Sequence, residues 1–246
     1  MGEKMKVLLY GRNIKEMESC LGEFTCLELC TGNPDIIITY GGDGALLGAE
    51  REFPGILKFP VRDSVENNLC KEHCSYSGQI KKLLDGKLKK MKLLKLSASC
   101  RGKTVKGIND VFIHNSNPVS AIRYRVWIDG EPYGEEIVGD GVGVSTVHGS
   151  TAYYRSITHS IFRTGIGLAF SNSTEVTNHL VLPEDTKIKV RLSRGPAILV
   201  ADNCTDMISL QESDEIRFFK TDEFAEVCGL DIFMCQKCRS LRHPRD

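Results

Sequence analysis

The sequence predicts an α/β domain followed by a largely antiparallel β domain. Over residues 1–97, short β-like runs alternate with helical ones, which is typical of a parallel α/β unit. After about residue 98, apolar and polar residues alternate between turn signals, which favours antiparallel strands. We therefore expect an α/β domain over 1–97 and a β-rich domain over 98–224, with a ligand site in the cleft between them.

In the first domain, apolar runs predict strands and runs with helical spacing predict helices. The predicted strands cover residues 7–10, 26–29, 36–39 and 56–59. The predicted helices cover residues 13–20, 45–51 and 79–84, and the last of them ends near Gly86. A lysine-rich run at 87–92 is interleaved with Leu and Met, which is more typical of a solvated edge than of a nucleic-acid site.

In the second domain, the clearest strand is the alternating run at residues 122–128, and Asp129 and Gly130 follow it as a hairpin turn. Further strands are predicted at residues 111–114, 188–192, 198–201 and 216–219. Because alternation buries one face of each strand, these runs favour antiparallel sheets packed on one core.

Composition argues against several classes of protein. The chain has 246 residues, of which 41% are hydrophobic, and this is enough for a sizeable core. Lys plus Arg and Asp plus Glu each number 32, so there is no overall basic field and we expect no nucleic-acid partner.

No run approaches the roughly 20 apolar residues that span a bilayer, so we expect no membrane partner. The polar start Met1-Gly2-Glu3-Lys4 lacks the apolar segment of a signal peptide, and we expect a cytoplasmic location.

The ten cysteines are scattered through a chain too long to need disulfides, so we expect most of them to be thiols in a reducing compartment. One cluster is Cys-Lys-Glu-His-Cys at residues 70–74, and the other pairs Cys235 with Cys238, with His243 beyond it. A Cys-x-x-Cys pair is half of a zinc site, and a second pair at similar spacing is missing. We therefore favour ordinary or redox-sensitive thiols over a structural metal, and we predict no metal-binding residues.

Gly-Gly-Asp-Gly at residues 41–44 directly follows the apolar run Ile-Ile-Ile-Thr-Tyr at 36–40. The motif predicts that the Asp43 carboxylate lies in a bare, flexible turn at the carboxyl end of a strand, where open α/β sheets bind ligands. The glycines let the backbone approach a ligand closely, and their N–H groups can form a nest for phosphate oxygens. A tight turn with no other role would use the same residue types.

Two polar clusters in the second domain add candidate binding residues. Asn109 and Asp110 stand at the start of a predicted strand, where an amide and a carboxylate can bind a vicinal diol. A capping or turn pair is the alternative. Residues 139–153 form a glycine- and hydroxyl-rich run with Asp140 between glycines, and this run is too long to be only a connector. His148 in this run is either an acid/base group or, more commonly for a loop histidine, a hydrogen-bonding residue.

The three clusters, taken in this order, resemble those of the NAD kinase family. Members of that family carry Gly-Gly-Asp-Gly, then an Asn-Glu or Asn-Asp pair, then Asp-Gly leading into Ser-Thr-Pro-x-Gly-Ser-Thr-Ala-Tyr. The third cluster, which here contains Gly-Ser-Thr-Ala-Tyr at residues 149–153, is the most specific part. The resemblance spans most of the chain, because Leu-Val-Leu-Pro at 180–183 resembles a later family segment and Asp202 occupies the place of its Asp-Gly strand turn.

The resemblance implies a Rossmann-like or phosphofructokinase-like α/β domain and a carboxyl-terminal antiparallel β domain, with residues 225–246 packing back on the first domain. It implies that NAD binds between the domains. It also implies that a phosphoryl group passes from ATP or polyphosphate to the 2′-hydroxyl of the adenosine ribose, giving NADP. Mg²⁺ is expected to accompany the nucleoside triphosphate. A homodimer or homotetramer is implied as well.

The same resemblance implies roles for individual residues. Asp43 is expected to be the general base toward the 2′-hydroxyl, because phosphoryl transfer depends on positioning the nucleophile. The phosphate-binding backbone is expected at Gly41, Gly42 and Gly44. Asn109 and Asp110 are matched to the adenosine ribose, and Asp140 to the nicotinamide riboside. The NAD-binding residues implied by this matching are Asn109, Asp110, Asp140, Thr151, Ala152, Tyr153 and Ser156.

Several residues depart from the family pattern. They are Ala45 in place of Thr, residues 55–60 in place of the usual Gly-Ile-Asn segment, Val147 and His148 in place of Pro-Thr or Pro-Ser, and Thr158 and His159 in place of Gly-Gly. Two alternatives therefore stay open, namely a lipid or sphingoid kinase of the related fold and a non-catalytic NAD(P)-binding sensor. Ser-Thr-Ala-Tyr at 150–153 argues against the lipid kinase. The sequence also leaves open the phosphoryl donor and the choice between NAD and NADH.

Overall fold

A computed structural model of the chain describes residues 4–63, 70, 73 and 75–242. Some residues named in the sequence analysis lie outside the described ranges, namely Met1, Gly2, Glu3, Lys71, Glu72, Cys74 and His243. The chain forms two compact units, one of Met1–Leu93 with Ala225–Asp246 and the other of Leu94–Phe224. Both boundaries fall inside strands rather than in linkers.

The first unit is built around a parallel sheet. Its strands are β1 (Met5–Gly11), β2 (Leu27–Leu29), β3 (Ile36–Tyr40), β4 (Lys58–Val61) and the carboxyl-terminal end of β16 (Glu215–Cys228). They lie in the order β2-β1-β3-β4-β16, and each neighbouring pair runs parallel. All residues of β3 are buried, which explains why its sequence is a continuous apolar run rather than an alternating one.

Helices complete the first unit. They are α1 (Lys15–Leu21), α2 (Asp43–Glu52), α3 (Tyr76–Leu84), α5 (Leu230–Phe233) and α6 (Gln236–Arg242), while α4 (Tyr153–Thr158) belongs to the second unit. Ser75 caps α3, because its hydroxyl accepts a 2.9 Å hydrogen bond from the N–H of Gly78. Met17 of α1 and Ile80 of α3 are fully buried and share a core cluster with Ile38 of β3.

The second unit contains two antiparallel sheets. One is formed by β5 (Lys90–Cys100), β6 (Lys103–Gly107), β8 (Ile122–Ile128), β9 (Glu131–Gly139), β13 (Ile188–Arg194) and the amino-terminal part of β16. The other has the order β12 (His179–Leu182), β11 (Ile166–Ser171), β10 (Gly141–Ser145), β7 (Asp110–Asn115), β14 (Ala197–Ala201) and β15 (Ile208–Leu210). Apolar side chains of both sheets, among them Ile113, Tyr124 and Phe218, form one core cluster.

The hairpin predicted at residues 122–130 is present. Most side chains of β8 alternate between buried and exposed positions, as its sequence does. Asp129 and Gly130 both have positive φ angles, 49° and 93°, as a type I′ turn requires. Strands β8 and β9 pair directly on either side of this turn.

The predicted fold class, an α/β domain plus an antiparallel β domain, is confirmed. One element differs in a way that affects the candidate site, because α2 begins at Asp43 and not at residue 45. Among the described residues, no helix combines the length and the apolar content needed to cross a bilayer.

Candidate functional site

Asp43 is the first residue of α2, and only Gly41 and Gly42 separate it from the end of β3. The expected bare, flexible turn is therefore wrong, because Gly42 takes an extended conformation as the N-cap and the helix already includes Asp43 and Gly44. Gly41 has a φ of 141°, which favours glycine, and its amide donates to the carbonyl of Val61 at 2.9 Å. Gly42 has no side chain to cap the helix, and the partial positive charge of this N-terminus suits an anionic ligand.

The carboxylate of Asp43 is paired with Arg62. Their Oδ1 and Nη2 atoms lie 3.1 Å apart, and the side chains are 50% and 22% exposed. The guanidinium carbon of Arg62 lies 3.7 Å from the centre of the Phe233 ring, and its Nε donates to the Phe233 carbonyl at 3.4 Å. Since Phe233 is buried at the end of α5, Arg62 is fixed on one side and orients the Asp43 carboxylate on the other. Sequence reasoning missed Arg62, because Phe233 is 171 positions away.

In the second unit, a single carboxylate binds the backbone that carries two predicted site residues. Asp202 accepts hydrogen bonds from the backbone N–H groups of Ile108 at 2.9 Å, Asn109 at 2.8 Å and Asp110 at 3.1 Å. Hydrogen bonds to an ionised acceptor are stronger than neutral ones, so these three fix the conformation of residues 108–110. Asp202 is thus a positioning residue, a role that its place in a strand turn did not indicate.

The side chains of Asn109 and Asp110 are both buried, at 7% and 8% exposure. Asn109 Oδ1 has no hydrogen-bond partner in the part of the chain that the structure describes. A buried acceptor without a donor costs about 1–3 kcal/mol, so this atom suits a hydroxyl donor on a ligand. Burial, and to a smaller extent the charge of Asp202, raises the pKa of Asp110 to about 7.

The buried Asp110 carboxyl is expected to make the ligand-free chain less stable as the pH rises. The pKa of this carboxyl is about 7 in the folded chain, against an ordinary value of 3.8. The folded chain therefore binds this proton more tightly than the unfolded chain does. The resulting stabilisation is complete below the ordinary value and is lost as the pH rises through the folded value. Between about pH 5 and pH 8, we expect the free energy of unfolding to fall by about 2 kcal/mol more in the wild type than in Asp110→Asn. Urea unfolding of both chains measures this difference, and parallel pH profiles would contradict it.

The glycine- and hydroxyl-rich run folds back onto the backbone of Asn109. The N–H of Thr146 donates to the Asn109 carbonyl at 2.8 Å, and the Thr146 hydroxyl donates to the Ile108 carbonyl at 2.7 Å. Gly149 donates its N–H to that hydroxyl oxygen at 3.0 Å. A Cβ at Gly149 would lie only 2.0 Å from the Asn109 carbonyl oxygen, so a larger residue does not fit. The run therefore supports the candidate site rather than merely connecting two elements.

Replacing Gly149 with Ala is expected to displace the backbone of Asn109. Since the new methyl group would meet backbone and not a flexible side chain, we expect the free energy of unfolding to fall by about 1–3 kcal/mol. Gly32→Ala is the matched control, because a Cβ at Gly32 would meet nothing within 4 Å. Urea unfolding of the two variants measures the difference. Equal stability of the two would show that the Gly149 contact is not tight.

Asp140 lies at the opposite end of the same strand pair from Asp110. Strands β7 and β10 are antiparallel, with Ser145 opposite Asp110 and Gly141 opposite His114. These two ends are separated by roughly 13 Å of strand. Asp140 therefore lies most of a strand length away from Asn109 and Asp110. At this distance, the two groups could contact opposite ends of one elongated ligand.

Tyr153 packs on two ring side chains of β7. Its ring centre lies 4.9 Å from that of Phe112 and 5.2 Å from that of His114. Burial lowers the pKa of His114, which favours the neutral imidazole in this cluster. Tyr153 itself is 36% exposed, so part of its ring remains available to a ligand.

The remaining predicted residues have local contacts. The hydroxyl of Thr151 donates to the carbonyl of His148 at 3.3 Å, and that of Ser156 donates to the carbonyl of Ala152 at 3.5 Å. Thr151 and Ser156 are exposed, whereas Ala152 and His148 are half-buried. His159 ends α4 with a φ of 55°, the conformation in which glycine is favoured, so this departure retains the helix end.

Sequence comparison relates the chain to known proteins. Residues 108–228 match the family described as the ATP-NAD kinase C-terminal domain. An NAD kinase of Alcanivorax borkumensis is 32% identical over 227 residues, which cover 84% of this chain and 73% of that protein. An NAD kinase of Treponema denticola is 29% identical over 214 residues, which cover 79% of this chain and 73% of that protein.

Solved structures share the fold. The crystal structure of an NAD kinase from Archaeoglobus fulgidus in complex with ATP has a TM-score of 0.76 at 21% identity, and the match covers 96% of this chain and 99% of that one. The yeast NADH kinase complexed with NADH has a TM-score of 0.75 at 17% identity, and the match covers 100% of this chain and 89% of that one. These likenesses extend over both units.

Proposed function

The chain belongs to the NAD kinase family, and on this premise we propose that it transfers a phosphoryl group from ATP to the 2′-hydroxyl of the adenosine ribose of NAD. The 32% identity to the A. borkumensis enzyme over most of both chains supports this assignment. In the reaction, the 2′-oxygen forms a bond to the γ-phosphorus while the bond between that phosphorus and the β–γ bridging oxygen breaks. The hydroxyl proton passes to a base, and the products are NADP and ADP.

The observation that carries the proposal is the buried acceptor pair at Asn109 and Asp110. Asn109 Oδ1 is buried without a partner among the described residues, and the neighbouring Asp110 carboxyl is 8% exposed. Asp202 fixes the backbone of both residues through three amide donors. Two prepositioned acceptors on adjacent residues are suited to two adjacent hydroxyls, so we assign them to the adenosine ribose of NAD. Asp140 is assigned to the nicotinamide riboside, and Thr151, Ala152, Tyr153 and Ser156 are assigned to the nucleoside pockets of the dinucleotide.

Asp43 is assigned the role of general base toward the 2′-hydroxyl. Its carboxylate is half exposed, and Arg62 holds it in one orientation, which is what a base needs before substrate binds. The N-terminus of α2, where the N-cap Gly42 makes no side-chain hydrogen bond, is assigned to phosphate oxygens. Gly41, Gly42 and Gly44 have no side chains, so a phosphate group can approach the backbone closely there. The N-terminus of α2 offers one carboxylate, which suits Mg²⁺ held mainly by phosphate oxygens and water. The ion would neutralise charge on the transferring phosphoryl group.

The finer properties are proposed with the same reaction. We assign ATP as the donor ahead of polyphosphate, since the A. fulgidus enzyme of the same fold was solved in complex with ATP. NADH is a candidate acceptor beside NAD, since the yeast enzyme was solved with NADH. A cytoplasmic location and a homodimer or homotetramer remain predictions from the sequence.

The proposal is tested by incubating the purified chain with ATP, Mg²⁺ and NAD and measuring NADP with an NADP-specific dehydrogenase. Parallel reactions replace ATP with polyphosphate, NAD with NADH, or NAD with a sphingoid base. We expect NADP from ATP and NAD and no phosphorylated lipid. Lipid phosphorylation without NADP would establish the lipid-kinase alternative. Tight NAD or NADP binding without turnover would establish a sensor.

A further inference from the structure

Four potential metal ligands that are far apart in the sequence lie together in the first unit. They are the sulfur atoms of Cys70, Cys235 and Cys238 and a ring nitrogen of His73, and all four atoms lie within 4.8 Å of one another. His73 Nδ1 is 3.4 Å from Cys70 Sγ and 3.4 Å from Cys238 Sγ. We propose that these four side chains bind one structural zinc ion.

The donor set and the distances both fit zinc. Zinc in structural sites is tetrahedral, with bonds of about 2.3 Å to sulfur and about 2.0 Å to nitrogen, so neighbouring donor atoms are about 3.5–3.8 Å apart. In the structure, His73 Nδ1 lies 3.4 Å from each of the two sulfur atoms, close to this range. All four donor atoms lie within 4.8 Å of one another, so the cluster needs only a small contraction to bind the ion. Three thiolates and one imidazole complete a closed four-coordinate set, which leaves no position for a substrate.

The surroundings of the cluster also resemble those of a metal site. The backbone N–H of Cys70 points at the sulfur of Cys238, 3.4 Å away. Such outer-shell hydrogen bonds orient metal ligands and stabilise the charge on a coordinated sulfur. Cys70 is 8% exposed and Cys238 is 1% exposed, so an ion at the centre would be shielded from water on at least two sides.

The position of the cluster explains what an ion would stabilise. Cys70 and His73 lie between β4 and α3, whereas Cys235 and Cys238 lie at the start of α6. The ion would therefore cross-link two segments of the first unit about 165 positions apart. The same two segments already meet where Arg62 contacts Phe233. An ion beside this contact would anchor the carboxyl-terminal segment to the α/β sheet.

The expectation of ordinary thiols is revised on this geometry. The sequence contains the second half of the site as Cys-x-x-His at residues 70–73, and a search for a second Cys-x-x-Cys pair overlooks it. A disulfide between Cys235 and Cys238 is the competing interpretation, but it would leave Cys70 and His73 converging on the same point without a reason. The zinc site is independent of the proposed phosphoryl transfer.

Metal analysis of the full chain, purified without chelator from zinc-supplemented cells, tests the proposal. We expect about one zinc per chain in the wild type and in the control Cys26→Ser, which removes an exposed thiol of the same unit. The double variant Cys235→Ser, Cys238→Ser is expected to lose the metal. His73→Cys is expected to keep it, because four sulfur donors also bind zinc, whereas His73→Ala is expected to bind it more weakly.

A measurement on the unmodified chain covers the case in which the double variant does not fold. Treatment with EDTA is expected to lower the melting temperature by several degrees, and zinc but not magnesium is expected to restore it. Cobalt in place of zinc is expected to give the intense visible bands of a tetrahedral site with thiolate ligands. The proposal would be overturned if the wild-type chain contained no zinc and also gave no such spectrum with cobalt. Full zinc content in the double variant would overturn it too, as would a Cys235–Cys238 disulfide in freshly purified protein.

Discussion

The variant Asp43→Asn is expected to form NADP about 10²–10⁴-fold more slowly than the wild type. The amide has the size of the carboxylate and its oxygen can still accept a hydrogen bond from Arg62, but it cannot take the proton of the 2′-hydroxyl. Because the Asp43 side chain is 50% exposed, the change should not disturb the core. The loss is therefore expected in kcat, while the dissociation constants of NAD and ATP change little.

Steady-state kinetics with varied NAD and ATP measure this effect. The control is Asp85→Asn, which removes an exposed carboxylate of the same unit that pairs with Lys87. It is expected to retain wild-type activity. If Asp43→Asn were as active as Asp85→Asn, the general-base assignment would be wrong, and another group would have to accept the proton.

The variant Lys58→Met is expected to lose about 3–5 kcal/mol of stability. Lys58 lies in β4 with no exposed surface, and its ammonium forms an ion pair with the carboxylate of Glu50, which is 4% exposed. The ammonium also donates to the carbonyl of Phe53 at 2.6 Å. Methionine fills much of the same volume but leaves the Glu50 charge buried beside it without this cation. Lys58 belongs to the segment 55–60 that departs from the family pattern.

Urea unfolding compares this variant with two others. The double variant Lys58→Met, Glu50→Leu is expected to recover most of the loss, because replacing both members of a buried pair by apolar residues is often neutral. Lys87→Met breaks an exposed pair, with its two side chains 68% and 51% exposed, and is expected to cost less than about 1 kcal/mol. A cost for Lys58→Met no larger than that for Lys87→Met would show that the buried pair is dispensable.

The elements that sequence predicts well here are those fixed by local pattern. The fully buried β3 is a continuous run of apolar residues, and β8 alternates because one of its faces is solvated. The turn at Asp129 and Gly130 follows from residue types that tolerate positive φ. The pattern places the start of α2 two residues too late, because glycine and aspartate before a helix are equally typical of a turn.

The parts of the site that sequence does not predict depend on contacts between distant residues. Arg62 can orient Asp43 because it packs on the ring of Phe233. Cys70 and His73 become potential metal ligands because Cys238 lies beside them. Asp202 acts on Asn109 from 93 positions away. Periodicity and spacing report on neighbours within an element and carry no information on these pairs. The sequence pattern and the family resemblance both indicate Asn109 and Asp110, but only the structure shows that both are buried and that Asn109 Oδ1 has no partner among the described residues.

The central claim is that this chain phosphorylates the 2′-hydroxyl of NAD. Phosphorus NMR of the product made by the wild-type chain from ATP, Mg²⁺ and NAD tests it most directly, since it identifies both the transferred group and the carbon that carries it. We expect one new phosphomonoester on the 2′-carbon of the adenosine ribose, formed in equal amount with ADP. A folded chain that binds NAD and ATP but forms no 2′-phosphate, or forms a phosphomonoester at another position, would contradict the claim.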